Sequence, residues 1–252
     1  MNGSDKLQDG WLVNLGQAKY LAVLELQRTL VELRSAHKIP DLLLLTEHEP
    51  VITVGRRGNT THILATAQEL TSQGIQVYHV ERGGEVTYHG PGQLLTYPVI
   101  HLAHRELGVR TFVNLLEQTV IQALATFDIQ ARCETQHRGV WVGGRKLAAL
   151  GLAIRRWVSF HGFALNVSPN LDHFRLINPC GLDHQMVTSM AMLLEKIPSM
   201  TAVRDQVASK FTKLFPGHWK KFTIAELQRM IRRYHGKRWS ENQSGSRMGA
   251  EQ

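Results

Sequence analysis

A glycine-rich stretch at residues 82–93 restricts the fold of this chain more than any other segment. Its sequence, RGGEVTYHGPGQ, holds four glycines and a proline together with an arginine, a threonine, a tyrosine, a histidine and a glutamine. Glycine is costly in regular structure and is used where the backbone bends or approaches another group closely. The stretch therefore predicts a strand-flanked loop whose amides and polar side chains line a pocket. A tight hairpin with incidental polar residues is the alternative.

The hydrophobic pattern around this stretch predicts an α+β fold. Apolar residues with helical spacing predict helices over residues 16–37, 64–73, 110–127, 202–215 and 224–234. Apolar runs and alternation predict strands over residues 42–45, 51–55, 75–80 and 93–100, and an antiparallel meander over 139–167 with a two-residue turn at Gly143-Gly144. Because strands and helices do not alternate strictly, we expect a mixed, largely antiparallel sheet flanked by helices.

Length and composition indicate an ordinary globular protein of 252 residues, 43% hydrophobic and 20% charged. We expect one domain over residues 1–239, with a basic helical segment over 204–238, and a disordered polar tail over 240–252. The two cysteines, Cys133 and Cys180, are too few for a disulfide framework and favour a reducing compartment. There is no hydrophobic segment of signal-peptide or membrane-spanning type, so a cytoplasmic location is expected.

The formal charge of +8 is concentrated near the C-terminus. Residues 204–238 carry ten lysines and arginines against only Asp205 and Glu226, so the remainder of the chain is neutral. A basic segment of this kind attracts nucleic acid, an anionic membrane or an acidic protein. The alternative is a solvated helix face with no partner.

Cys180 is the strongest candidate for a reactive group. It stands between Pro179 and Gly181, which predicts an exposed turn, whereas Cys133 lies in a strand pattern that predicts an inert, buried thiol. A thiol with a pKa of ~8.5 needs a neighbour that favours the thiolate. The basic candidates are His89, His161 and Lys146.

Lys146 leaves a glycine turn and enters the apolar run 147–152. Desolvation disfavours a charged amine, so this lysine is a candidate base, with a surface lysine as the alternative. No pair of histidines has a convincing metal-ligand spacing, which predicts no metal. The glycine-rich stretch also lacks the dinucleotide and P-loop fingerprints, which argues against the use of ATP.

Four motifs follow in order along the chain: RGGxxTYHxxGQ at 82–93, GxKLxxLG at 144–151, SFHGxALN at 159–166 and NPCG at 178–181. Together they resemble the lipoyl(octanoyl) transferase family of lipoate biosynthesis, over roughly residues 10–220. The resemblance implies the fold of biotin and lipoate protein ligases, an α+β sheet around an acyl-binding pocket. It also implies an octanoyltransferase catalytic domain that needs no cofactor.

The implied reaction is the first step of endogenous protein lipoylation. An octanoyl group would pass from acyl carrier protein, through a cysteine thioester, to the ε-amine of one lysine on a lipoyl domain. The implied acceptors are the lipoyl domains of 2-oxoacid dehydrogenase E2 subunits and the glycine cleavage H protein. Such domains are acidic, so the basic segment 204–238 would steer either partner to the site.

The resemblance also assigns residue roles. Cys180 would carry the acyl group, and Lys146 would lower its pKa and handle protons. Substrate contacts are expected from Arg82, Gly83, Gly84, Glu85, Val86, Thr87, Tyr88, His89, Ala149, Leu150, Gly151, Gly162, Phe163 and Ala164. Supporting roles are expected for Gln93, His161 and Asn178.

Two rival functions remain at this point. An ATP-dependent lipoate protein ligase would need a nucleotide site and no cysteine nucleophile. Glu85 stands where ligases tend to have a third glycine, and this favours the transferase, as does Cys180. A nucleic-acid-binding module would interleave aromatic and basic residues. Aromatic residues do occur after residue 210, but their mostly helical spacing favours packing over base stacking.

Overall fold

Two β-sheets form the framework of the molecule. The computed structural model describes residues 8–134, 138–178 and 186–235. The described strands are β1 Gln8–Ala18, β2 Asp41–His48, β3 Val51–Val54, β4 Gln76–His79, β5 Val86–His89, β6 Gln93–Val99, β7 Arg132–Cys133, β8 Val140–Val142, β9 Arg145–Arg155, β10 Val158–Asn166 and β11 Gly217–Lys221. The described helices are α1 Tyr20–Ser35, α2 Ala67–Ser72, α3 Val109–Ala125, α4 Met190–Leu193, α5 Met200–Leu214 and α6 Ile224–His235.

The larger sheet has eight strands in the order β11-β1-β2-β6-β10-β9-β8-β7, and the smaller sheet has the order β4-β3-β5. In the larger sheet, β1 runs parallel to both β11 and β2, and the other neighbouring strands are antiparallel. The predicted α+β fold with a largely antiparallel sheet is confirmed. None of the described helices is both long and apolar enough to cross a membrane.

Strand β2 shows why the core lies on both faces of the larger sheet. Leu42 and Leu44 pack into the cluster that α1 covers, whereas Leu43 and Leu45 pack into the cluster that α3 and α5 cover. Successive side chains of a strand point to opposite faces, so a strand that is covered on both sides needs an unbroken apolar run. The run predicted as a buried strand therefore lies at the centre of the core.

Asp41 ties three parts of the chain together. Its fully buried carboxylate accepts hydrogen bonds from Arg34 Nε at 2.8 Å, Arg105 Nε at 2.5 Å and the backbone N–H of His101 at 3.0 Å. Arg34 lies at the end of α1 and Arg105 ends the 3₁₀ turn Leu102–Arg105. Because each guanidinium is paired with this carboxylate, the charges are tolerated in the interior.

Several elements differ from the prediction. Residues 16–18 belong to β1 and not to a helix, because β1 pairs with β2 through a register shift at Asn14/Gly16. The middle of the glycine-rich stretch is a strand, β5, which pairs with β3 and leaves loops on either side. Strand β11 pairs with β1 in a segment whose own sequence is too polar to indicate a strand. The predicted tail, 240–252, lies outside the described residues, and the single-domain assignment stays a prediction.

Cys133 is exposed, so the prediction that it is buried is wrong. It lies on β7, the edge strand of the larger sheet. Partial burial and the nearby carboxylate of Glu117 nevertheless raise the pKa of this thiol to about 11. The thiol is therefore protonated and unreactive near neutral pH.

Replacement of Asp41 tests the buried charge cluster. In Asp41→Ala the guanidinium groups of Arg34 and Arg105 lose their carboxylate, and we expect a loss of about 3–5 kcal/mol in the free energy of unfolding, measured by urea titration. Asp172 is exposed and lies 3.3 Å from Arg175, so Asp172→Ala is the matched control, with an expected change below about 1 kcal/mol. Equal losses in both variants would contradict this role of Asp41.

Candidate active site

A cavity of about 470 Å³ lies between the larger sheet and the glycine-rich stretch. Strands β6, β9 and β10 of the larger sheet contribute to its wall, as do β5 of the smaller sheet and Tyr20 at the start of α1. Its volume lies within the range of small-molecule sites, roughly 300–1,000 Å³.

The wall on strands β9 and β10 is built from small residues. Gly151 lies opposite Gly162 and Ala149 lies opposite Ala164, so the four share one face of the sheet. A Cβ atom at Gly151 would lie 3.0 Å from Arg82 Cδ and 3.1 Å from the carbonyl oxygen of Gly83. Any larger residue would press on the glycine-rich stretch, which approaches this closely. The small residues leave room that larger side chains would fill.

The glycine-rich stretch is fixed to strand β9 by its backbone. The N–H of Gly83 donates to the carbonyl oxygen of Leu152 at 2.8 Å, beyond the point where β8 stops pairing with β9. Arg82 holds the stretch from inside, since its guanidinium donates to the carbonyl oxygens of Thr53 at 2.6 Å and Glu85 at 2.9 Å. Arg82 is 6% exposed and also lines the cavity. These contacts organise the loop, and the substrate-binding role of Arg82 stays a prediction.

A chain of amide contacts connects the glycine-rich stretch to β10. His89 Nδ1 donates to Gln93 Oε1 at 3.1 Å, and Gln93 Nε2 donates to Asn166 Oδ1 at 2.9 Å. Asn166 Nδ2 then donates to the carbonyl oxygen of Thr188 at 2.9 Å. Burial, followed by the charge of Arg82, lowers the pKa of His89 to about 3. His89 is therefore neutral and a weak base near neutral pH.

His161 is the second histidine on the cavity wall. Its backbone is held in the left-handed region at φ 55°, and its N–H donates to Gln27 Oε1 at 2.7 Å. Nε2 lies 3.7 Å from Glu81 Oε2, which is an ion-pair distance but too long for a hydrogen bond. Burial lowers the pKa of His161 more than Glu81 raises it, while the pKa of Glu81 is lowered to about 2, chiefly by His161.

A β-bulge brings Lys146 to the cavity. Val140 pairs with Ala148 and Trp141 pairs with Lys146, so Leu147 is an extra residue in β9. Leu147 and Ala148 are both fully buried in the core beneath α3, so the bulge resets the alternation of side chains. As a result Lys146 lines the cavity together with residues 149–152, which follow it along the strand.

The chain around Cys180 is anchored on both sides. Cys180 itself lies outside the described residues. Before the gap, the N–H of Asn178 donates to the carbonyl oxygen of His62 at 2.7 Å. After it, Val187 forms a parallel bridge with Lys146, and the N–H of Thr188 donates to the carbonyl oxygen of Lys146 at 3.0 Å. Val187 also lines the cavity.

Most residues predicted from the sequence therefore meet in one place. The cavity is lined by Arg82, Gly83, Gly84, Val86, Thr87, Tyr88, His89, Gln93, Lys146, Ala149, Leu150, Gly151, His161, Gly162, Phe163 and Ala164. Glu85 does not line it, and its carboxylate instead lies 3.3 Å from Nδ1 of His62. Asn178 is exposed and also does not line it.

Comparison with known proteins shows the family. The model of the lipoyl protein ligase A/B catalytic domain matches residues 19–212. The chain is 43% identical to an octanoyltransferase from Syntrophobacter fumaroxidans over 225 residues, which cover 89% of this chain and 99% of the relative. It is 45% identical to an octanoyltransferase from Caldicellulosiruptor bescii over 203 residues, which cover 80% of this chain and 89% of the relative.

The chain belongs to the lipoyl protein ligase A/B catalytic-domain family. These matches confirm the predicted family and an acyltransferase activity.

Solved structures of lipoate protein ligases share the fold. A putative lipoate protein ligase from Thermoplasma acidophilum, solved with bound lipoic acid, has a TM-score of 0.70 at 15% identity and covers 89% of this chain and 94% of its own. Lipoate-protein ligase A, solved with ATP, has a TM-score of 0.66 at 16% identity and covers 92% of this chain and 96% of its own. At such low identity the likeness concerns the fold alone.

Sequence reasoning missed several cavity residues of this family member. Tyr20, Leu95, Tyr97 and Asn166 line the cavity but were not singled out. The sequence does not distinguish Tyr20, Leu95 and Tyr97 from core residues, because aromatic residues and leucines in periodic apolar segments are typical of a hydrophobic core. Asn166 was detectable, because it is the last residue of the motif SFHGxALN at 159–166. Tyr97 donates its hydroxyl hydrogen to His48 Nε2 at 2.9 Å, so the inner wall is partly polar.

Three histidines form a separate cluster away from the cavity lining. Ligand atoms of His37, His101 and His104 lie within 4.8 Å of one another. However, Nδ1 of His101 accepts the backbone N–H of His104, and Arg34 Nη2 lies 3.4 Å from Nδ1 of His104. Two ring nitrogens are thus engaged by donors, and the guanidinium charge disfavours a cation. The absence of a metal in this family member stays a prediction.

Acidification tests the neutral state of His89. Its folded-state pKa of about 3 lies below 6.5, so the unfolded chain binds the proton first and stability falls as pH falls between these values. We expect the loss between pH 7 and pH 5, measured by urea unfolding, to be about 2 kcal/mol smaller in His89→Gln than in the wild type. His79→Gln on the exposed side of β4 is the control; an identical pH dependence in all three proteins would contradict the assignment.

Proposed function

We propose that this acyltransferase carries an octanoyl group on Cys180 from acyl carrier protein to a lipoyl-domain lysine. The observation that supports it best is the position of Lys146. A bulge brings this lysine to a cavity with a small-residue wall, and its backbone holds the chain that follows the Cys180 motif. A thiol, an amine and an acyl-sized cavity are the parts that two successive acyl transfers need.

The proposed reaction consists of two successive acyl transfers. The Cys180 thiolate attacks the carbonyl carbon of the donor thioester, and the carrier's thiol leaves with a proton from the ammonium group of Lys146, which becomes a neutral amine able to accept a proton in the next step. The acceptor amine then attacks the enzyme thioester, an amide bond forms, and Cys180 leaves as the thiolate. At a pKa of ~10.4 only about one acceptor lysine in 10³ is neutral at pH 7, so the second step needs a group that accepts protons.

Lys146 is better suited to proton transfer than the two histidines of the cavity wall. Burial lowers the pKa of both His89 and His161, which makes each a weak base at neutral pH. Lys146 is half-buried at the cavity wall beside the chain that leads from the Cys180 motif. We assign it the thiolate-stabilising and proton-transfer role.

The proposed partners are octanoyl-acyl carrier protein as donor and the lipoyl domains of 2-oxoacid dehydrogenase E2 subunits and of the glycine cleavage H protein as acceptors. The sheet order limits which charges of the basic segment can act on a partner at the cavity. Strand β11 lies at one edge of the larger sheet, five strand spacings from β9, or about 24 Å. Surface charges act over about 8 Å at physiological salt. Charges of β11 therefore act weakly at Lys146.

An ATP-dependent lipoate protein ligase is the rival function, and it shares the fold. It would acylate a lipoyl domain from free acid and ATP without a carrier-bound donor. Transfer from octanoyl carrier protein in the absence of ATP separates the two functions.

Intact-mass analysis tests the thioester. After mixing with octanoyl-acyl carrier protein, we expect an octanoyl adduct on the wild type and on Cys133→Ala, because the Cys133 thiol is protonated near neutral pH. We expect none on Cys180→Ala. An adduct on Cys180→Ala, or full transfer to a lipoyl domain by that variant, would overturn the proposal.

Ala164 tests the fit of the acyl chain. Ala164→Val adds two carbons to the cavity wall, and each displaced methylene loses ~0.8 kcal/mol, so we expect the preference for octanoyl over hexanoyl donors to fall roughly tenfold. The ratio of kcat/KM values for the two donors measures it. Ala125→Val, at the exposed end of α3, should leave the ratio unchanged. An unchanged ratio in Ala164→Val would place the chain elsewhere.

A further inference from the structure

Trp141 faces Lys146 across the β8–β9 ladder. The two residues are direct register partners, so their side chains lie on the same face. Nζ of Lys146 lies 4.9 Å from the centroid of the Trp141 ring, within the range of a cation–π contact. Trp141 is 2% exposed, so the contact is largely shielded from water, where this interaction is strongest.

Gly139 borders the stem of Lys146 on another side. A Cβ atom at Gly139 would lie 3.3 Å from Cε and 3.4 Å from Cδ of Lys146, and 2.6 Å from the carbonyl oxygen of Ala148. The backbone at Gly139 also has φ 142°, which favours glycine. The lysine stem therefore runs past bare backbone on one side and reaches an aromatic face on the other.

Helix α3 fixes this arrangement through Glu117. Its buried carboxylate accepts the backbone N–H of Gly139 at 3.2 Å and Arg138 Nη1 at 3.1 Å. Arg138 also lines the cavity and pairs with Glu117 at 3.1 Å. Val187 and Thr188, which meet the backbone of Lys146 through an isolated bridge and a hydrogen bond, are uncharged.

We infer that Trp141 is a positioning residue that holds Lys146 as an ammonium ion at the cavity wall. The inference rests on the proposed function, since it gives Lys146 its part in forming the thiolate. The face of an aromatic ring attracts a cation and not a neutral amine. The ammonium form stabilises a nearby thiolate. Desolvation alone favours the neutral amine, and the ring face opposes that effect.

The test measures Cys180 directly, with Cys133→Ala as the background so that one thiol remains. The rate of alkylation by iodoacetamide is followed from pH 5 to pH 10, which reports the thiolate fraction. In Trp141→Leu we expect the midpoint to move to higher pH and the rate at pH 7 to fall about tenfold. Trp141→Phe keeps a ring face and should recover most of the rate. Trp157→Leu, at an exposed tryptophan, should match the background.

A second readout separates this inference from the proposed function. Single-turnover acylation by octanoyl-acyl carrier protein should slow in Trp141→Leu without a matching rise in the donor's KM. Thermal unfolding of each variant identifies any loss of fold, and Trp141→Met, which also removes the ring face, carries the test if Trp141→Leu does not fold. An alkylation profile of Trp141→Leu that matches the Cys133→Ala background would overturn the inference. Failure of the wild type to acylate would instead overturn the proposed function.

Discussion

The contact on which the cavity depends is the attachment of the glycine-rich stretch to strand β9. The N–H of Gly83 donates to the carbonyl oxygen of Leu152, and Gly151 lacks the side chain that would keep the two backbones apart. Arg82 then holds the stretch in shape by donating to carbonyl oxygens within it and on β3. Together with the contacts from His89 through Gln93 to Asn166, this attachment sets the distance between the smaller sheet and the larger one.

The ionisable groups inside the cavity wall have two different environments. His48 and His89 are buried in the neutral state and engaged by hydrogen bonds, so they add no charge to a site that would hold a hydrocarbon chain. Lys146 lies half-buried against an aromatic face. The arrangement keeps one ionisable amine close to the reacting atoms in the proposed mechanism and removes competing bases from it.

The parts of the fold that depend on local patterns were predictable. The apolar run of β2, the periodic helix α3 and the turn at Gly143-Gly144, where both glycines have positive φ, follow from the sequence. Strands β1 and β11 were missed because each is defined by its partner strand and not by its own residues.

The candidate site divides in the same way. Its glycines, Lys146 and histidines were found from motifs, and most of them line the cavity. The bulge at Leu147 and the pairing of Trp141 with Lys146 were not found, because a register shift between two strands leaves no mark on the sequence of either one.

The position of Lys220 and Lys221 on β11 has a consequence for association between molecules. An outer strand offers N–H and C=O groups with which a strand of another molecule can pair. Both lysines are exposed on this outer strand of the larger sheet. Like charges on two approaching copies repel, so these lysines oppose the pairing of β11 with a strand of another molecule. This effect does not depend on whether the basic segment also binds a partner.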